Sequence, residues 1–159
     1  MEQTIYELID DVHKLAWQMR PPILDDYGLD SALKRHLEKV QAQSSLEIDY
    51  QCTFSADSDR LPGEVELTLY RVAQEAVLNI VRHANASRAS VVLLKEDHGV
   101  ALLVEDDGCG FDPSNANGDE GIHLGLIGLK ERVGLCDGSL LIESASGVGT
   151  TVRVRVPLG

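Results

Sequence analysis

Positive charge is scarce in this sequence: 14 Lys and Arg stand against 26 Asp and Glu in 159 residues, a formal net charge of -12. Proteins that hold nucleic acid or an anionic membrane by non-specific electrostatics carry a basic face, so this balance argues against both partners, though not against a small anion held locally. No apolar run approaches the roughly 20 residues of a membrane span, and no basic start followed by an apolar core marks a signal peptide. The expected location is therefore cytoplasmic, with no membrane contact by this stretch. The three cysteines, Cys52, Cys109 and Cys136, lack CxxC spacing, which argues against a zinc site or a disulfide framework. Internal repeats and low-complexity tracts are missing too. What is present, 43% hydrophobic and 25% charged residues, suits one soluble domain with its own core.

Apolar residues at three- and four-residue steps from Ile5 to Met19 predict an amphipathic helix over residues 2 to about 19, ended by Pro21-Pro22. A connector from Ile23 to Gly28 leads to a second helix, with Asp30 as candidate cap, running to about Gln43. Strict alternation from Leu46 to Phe54 reads as a half-buried strand. Pro62 opens a long helix that reaches His83 or Ala84. Residues 90–96 and 100–105, split by Asp97-His98-Gly99, form a hairpin. Residues 112–124 read as a long loop, followed by a helix from about Leu126 to Leu135 and strands at 139–144 and 150–156. This order predicts an α/β (α+β) two-layer sandwich, a mixed sheet covered by helices on one face.

Three constellations carry candidate chemistry. On a helical wheel Glu75, Asn79 and Arg82 fall within about 80° of Arg71, opposite the apolar face. They suit either a solvated helix surface or a site where Asn79 and Glu75 offer oxygens to a hard cation and Arg82 meets a phosphate. Second, Glu105-Asp106-Asp107-Gly108-Cys109-Gly110-Phe111 ends a strand in acids followed by two glycines. That is an ordinary turn, or a place where backbone approaches a ligand and a carboxylate accepts from an amino group such as that of adenine. Third, Gly121 to Leu129 is a glycine-bearing loop that opens a helix, read as a simple cap or as amides that hold an anion. It matches neither the Rossmann fingerprint nor the P-loop.

In this order the three sets resemble the catalytic and ATP-binding domain of bacterial sensor histidine kinases, in the superfamily that includes gyrase, Hsp90 and MutL. The similarity is greatest to the group that signals to NarL/LuxR-type response regulators. Met19 to Leu29 is similar to that group's LRPxxLDxxGL segment, Leu69 to Ala84 to its N box, Asp106 to Phe111 and His123 to Leu129 to its two glycine boxes, and Gly147-Val148-Gly149-Thr150 to its closing GxGT. The resemblance implies a Bergerat-type fold that binds ATP and Mg²⁺. It implies that Asp106 bonds the adenine amino group beside Gly108 and Gly110, with Thr150 reaching the base through water. Asn79 would ligate Mg²⁺, and Arg82 and His83 would lie near phosphates. Glu75 would orient or deprotonate the attacking group, or support the magnesium shell. Residues 112–124 would form a lid, with amides near Gly125, Leu126 and Gly128 cradling the phosphate chain.

The same resemblance divides the chain into the end of a second dimerisation helix (1–20), a connector (21–30) and the catalytic domain (31–159). The expected reaction is transfer of the ATP γ-phosphoryl group to a histidine on the dimerisation domain of the same homodimeric protein, upstream of this chain, for relay to a response regulator. His13, followed by Lys14 and close to Arg20-Pro21, does not suit the acceptor role. His123 stands where the second glycine box normally opens with glycine. It keeps one alternative in view, an inactive nucleotide-binding interaction module; a second, an anti-sigma-type serine kinase of the same superfamily, is disfavoured by the LRP-type connector that follows the first helix.

Overall fold

The computed structural model describes residues 4, 5, 7, 8, 11, 12, 15, 19–55, 59–112, 114 and 120–159, with backbone alone at 120–124 and 126. The described residues among the first fifteen are helical and exposed, Ile5, Leu8, Val12 and Leu15 included. His13 lies outside the described residues. The elements that follow are α1 (Pro22–Tyr27), α2 (Leu29–Gln43), β1 (Glu47–Cys52), α3 (Gly63–Asn79), a π-helical turn (Ile80–Ala84), β2 (Arg88–Glu96), β3 (Gly99–Asp106), α4 (Glu120–Leu135), β4 (Ser139–Ala145) and β5 (Gly149–Pro157).

Local chemistry accounts for most of these boundaries. Pro22 sits in the first turn of α1, where its missing N–H costs nothing, and Gly28 at φ 90° separates α1 from α2. The stretch expected as a simple connector therefore contains a helical turn of its own. Asp30 is not the cap of α2: it stands at the second helical position, and its Oδ1 accepts the Tyr50 hydroxyl at 2.7 Å.

The five strands form one sheet in the order β1-β2-β3-β5-β4. β1 and β2 are parallel, and every other pair is antiparallel. A parallel pair requires a crossover, and α3 supplies it. α3 lies over β3 and β5, while α4 packs against α3 and β4. Leu33, Leu69, Val72 and Val77 from the helices meet Leu93, Leu102 and Val154 from the sheet, all fully buried. The opposite sheet face exposes Glu47, Asp49, Gln51, Arg153 and Arg155. Helices thus cover one face, the arrangement that the pattern of elements predicts. Residues 21–30 contribute Leu24 and Leu29, both completely buried, to this same core.

One ion cluster fastens the start of the chain to α3. Glu66, in the first turns of α3, is 0% exposed. Arg60 donates to its two oxygens from Nε at 2.8 Å and Nη2 at 2.9 Å, and Arg20 Nη2 adds a bond of 3.3 Å. Arg60 Nη2 also donates to the Leu24 carbonyl, and Arg20 Nη1 to that of Gly63. Removing one partner strands a buried carboxylate, which costs about 3–5 kcal/mol when both ions are dry; Arg60 is 39% exposed, which reduces this to about 2–3 kcal/mol. Arg60→Ala is therefore expected to lower the melting temperature by roughly 4–12 °C. Arg20→Ala, which removes the longer bond, is expected to cost less. Equal melting curves for wild type and Arg60→Ala would refute the clamp.

Candidate functional site

The sheet and α3 together make a cleft, and the way α3 ends decides its shape. The apolar period runs to Asn79, after which the helix widens into the π turn Ile80–Ala84, closed by Asn85 in the left-handed region at φ 48°. Asparagine tolerates that conformation, and π turns recur at functional sites. The turn departs from the uninterrupted α-helix expected from periodicity, and the departure redistributes side chains. Asn79, Ile80, His83 and Ala84 line the cleft. Arg82, which a regular helix would align with Asn79, is exposed and outside the cleft wall.

The cleft measures about 620 Å³ including its open mouth. Ala76, Ile80, Val104, Ile142 and Val152 give it an apolar wall, while Asn79, His83, Asp106 and Thr150 supply polar groups. A planar apolar body with a polar edge fits such a lining. Asp106 ends β3 directly opposite Thr150 of β5. Its Oδ1 accepts the Gly108 amide at 2.8 Å. Burial pushes the Asp106 carboxyl above its ordinary value, aided by the charge of Asp107 and opposed by the Gly108 and Thr150 amides.

The neighbouring acid has a different task. Asp107 Oδ1 accepts the amides of Arg88 and Ser87, each at 2.9 Å, and these bonds hold its carboxyl below the usual range. It secures the start of β2 and faces away from the cleft wall. The loop beyond is stitched to both sides: the Cys109 amide donates to the Ala84 carbonyl at 2.7 Å, and the Gly147 amide to the Cys109 carbonyl at 2.6 Å. Gly110 has φ 61°, and a Cβ there would collide with the Ala145 carbonyl, so this path admits glycine only.

The second glycine segment lies differently from the sequence reading. α4 begins at Glu120, about six residues before the expected start at Leu126, so Gly125 and Gly128 are interior helical positions. Their amides serve the helical ladder, so the positions expected to cradle a phosphate chain, near Gly125, Leu126 and Gly128, lie within the helical run. The Leu126 side chain, residues 113 and 115–119 of the expected lid, and the side chains of 120–124 lie outside the described residues. Gly125 has another use. A Cβ at this position would fall 2.5 Å from Glu75 Oε1, so glycine lets α4 lie directly against that carboxylate. Glu75 stands there, outside the residues that wall the cleft.

Of the expected site residues, the fold brings together Asn79, His83, Asp106, Gly110 and Thr150, with Gly108 bonded to Asp106 from behind. Sequence reasoning overlooked Ser144 on β4. Its hydroxyl lies 2.7 Å from that of Thr150 and accepts the Phe111 amide at 2.8 Å. Ser144 and Thr150 are cross-strand partners. Counting back across the Gly147-Val148-Gly149 hairpin would have paired them.

Among the described residues no three His, Cys, Asp or Glu side chains converge as a ligand set. Asn79 offers a single hard oxygen, which suits Mg²⁺ because that ion commonly takes one or two protein ligands and completes its shell with phosphate oxygens and water.

Known proteins share this layout. Residues 64–159 match the family described as histidine kinase-, DNA gyrase B-, and HSP90-like ATPase, more than half of the chain. Oxygen sensor histidine kinase NreB of Staphylococcus carnosus is 34% identical over 158 residues, 99% of this chain and 44% of NreB. Signal transduction histidine-protein kinase/phosphatase DegS of Bacillus subtilis is 36% identical over 140 residues, 87% of this chain and 36% of DegS. The chain thus spans less than half the length of these curated relatives. The solved histidine kinase domain from the blue-light activated histidine kinase of Erythrobacter litoralis superposes with a TM-score of 0.62 over 82% of this chain and 61% of its own, at 22% identity, which establishes a common fold. No described helix is long and apolar enough to cross a membrane. An asparagine at the end of the long helix, an acid at the end of β3 and a threonine on β5 meet in one cleft, and the match that covers all three makes this chain a member of the histidine kinase-, DNA gyrase B- and HSP90-like ATPase family.

Proposed function

We propose that this chain is the ATP-binding catalytic domain of a sensor histidine kinase, which transfers the γ-phosphoryl group of ATP to a histidine on a dimerisation domain of the same protein. The observation that carries the reading is the meeting of Asn79 and His83, from the end of α3, with Asp106 and Thr150 of the sheet across an apolar cleft. Adenine fits the apolar walls, with Asp106 accepting from its amino group. Mg²⁺, when bound with ATP, would neutralise phosphate charge. Asn79 would hold it, with Glu75 in its outer shell or orienting the attacking histidine. His83 lines the cleft and would meet the phosphates there, while Arg82, exposed and outside the cleft wall, would reach them only by moving.

The division of labour along the chain follows the same reading. Residues up to about 20 would end the second dimerisation helix, residues 21–30 would connect it, and the remainder would be the catalytic domain. The relay partner would be a NarL/LuxR-type response regulator, with the transfer taking place in the cytoplasm. The test is incubation with γ-labelled Mg-ATP and a separately prepared dimerisation domain that carries the acceptor histidine. Acid-labile, base-stable label on that domain is expected. Nucleotide binding without such label would reduce the chain to a binding module, and label on a serine of an anti-sigma-type substrate would move it to the serine kinases.

A further inference from the structure

We infer that Ser144 is a positioning residue that fixes the Thr150 hydroxyl as a hydrogen-bond acceptor toward the cleft, and so makes the site prefer a base edge that donates over one that accepts. The inference rests on the adenine-nucleotide reading of the cleft and adds a residue that the reading did not use.

A hydroxyl has one proton to donate and two lone pairs. Ser144 Oγ donates to the Gly149 carbonyl at 3.1 Å and accepts the Phe111 amide at 2.8 Å. One lone pair is left, and Thr150 Oγ1 lies 2.7 Å away. With the Ser144 proton on the Gly149 carbonyl, Thr150 is the donor in a bond whose distance allows either direction. In that arrangement its proton is committed to Ser144, and lone pairs are left on the side that lines the cleft.

Asp106, directly across the β3–β5 pairing from Thr150, is an acceptor as a carboxylate, with one oxygen already taking the Gly108 amide. Two adjacent strands therefore present acceptors at the same place. An exocyclic amino group satisfies them, directly or through a water that donates to both. A carbonyl in that position meets lone pairs and leaves buried polar groups unpaired, a strong basis for discrimination. Without the Ser144 oxygen the Thr150 proton is free to turn into the cleft and donate to a carbonyl.

The experiment measures ADP and IDP affinity by calorimetry; IDP replaces the amino group with a carbonyl. Wild type is expected to favour ADP. Ser144→Ala is expected to weaken ADP about five- to tenfold and to lower the ADP-to-IDP preference by about tenfold, while Ser144→Thr, which restores the hydroxyl, retains it. In a Thr150→Val background Ser144→Ala is expected to leave the preference unchanged. Parallel loss of both nucleotides in Ser144→Ala would show a merely structural role and overturn the inference, as would an unaltered preference. If Ser144→Ala does not fold, Ser144→Cys, nearly isosteric and a weak hydrogen-bonding group, is judged by the same ratio. Failure of wild type to bind either nucleotide would instead remove the adenine-nucleotide reading itself.

Discussion

Asp106→Asn is expected to lower ADP affinity by about 10²- to 10³-fold while the melting temperature stays the same or rises. The geometry makes this isosteric change severe for binding. Because Oδ1 of Asp106 accepts the Gly108 amide, an amide side chain would keep its oxygen there and turn its NH₂ toward the cleft. A donor would then face the adenine amino group, also a donor.

The effect on stability has the opposite sign. Burial raises the Asp106 carboxyl above its unfolded value, so the folded protein holds that proton more tightly than the unfolded chain. This group therefore favours folding more as pH falls through its raised value, and it costs stability at neutral pH; the asparagine variant removes that cost. For the ligand, the ionised form is the better acceptor, so wild-type ADP affinity is expected to fall on acidification, with a midpoint above the ordinary aspartate range. Calorimetry and thermal melts across pH check both signs. An affinity flat down to pH 4, or a large loss of melting temperature in the variant, would sink the assignment.

The second large effect is expected at Asn79. With no converging set of His, Cys, Asp or Glu among the described residues, the proposed reading assigns the protein's share of metal binding to the Asn79 amide oxygen, with Glu75 as the further candidate. Asn79→Ala should abolish the gain in ATP affinity that Mg²⁺ gives and reduce transfer to the acceptor histidine by about 10²- to 10³-fold. Asn79 is half-buried and ends α3, where alanine is a good helix former, so folding is expected to survive. ATP affinity measured in EDTA provides the control and is expected to change little. If Mg²⁺ still strengthened ATP binding in the variant as it does in wild type, Asn79 would not be its ligand.

The legible parts of the fold are those governed by local repetition. Ile48, Tyr50 and Cys52 alternate with exposed neighbours on β1, and the apolar stripe of α3 from Val65 to Val77 is buried as its period requires. The illegible parts turn on partners distant in sequence. Asp30 resembles a cap, yet Tyr50 of β1 claims it. Arg60 and Glu66 look like ordinary surface charges until α1 and α3 close over the carboxylate. Glycines at 125 and 128 resemble a loop that opens a helix. Their place inside α4 follows from packing, because a glycine at 125 lets the helix approach Glu75.

By itself the sequence determined the layer architecture and the order of the strands and long helices, and it singled out Asn79, His83, Asp106 and Thr150, which the fold places on one cleft, because period, turn chemistry and motif order are carried by short stretches of chain. Only the tertiary structure decided that Arg82 is exposed and outside the cleft wall after a π turn, that Asp107 bonds the start of β2 while Asp106 lines the cleft, and that Ser144 lies beside Thr150. Those outcomes depend on strand register and on how two helices meet, distances that no local pattern encodes. The scarcity of positive charge fits the proposed reading, in which the cleft would meet a polyanion with few cations of its own and would rely on an amide oxygen for the metal and on placed acceptors for the base.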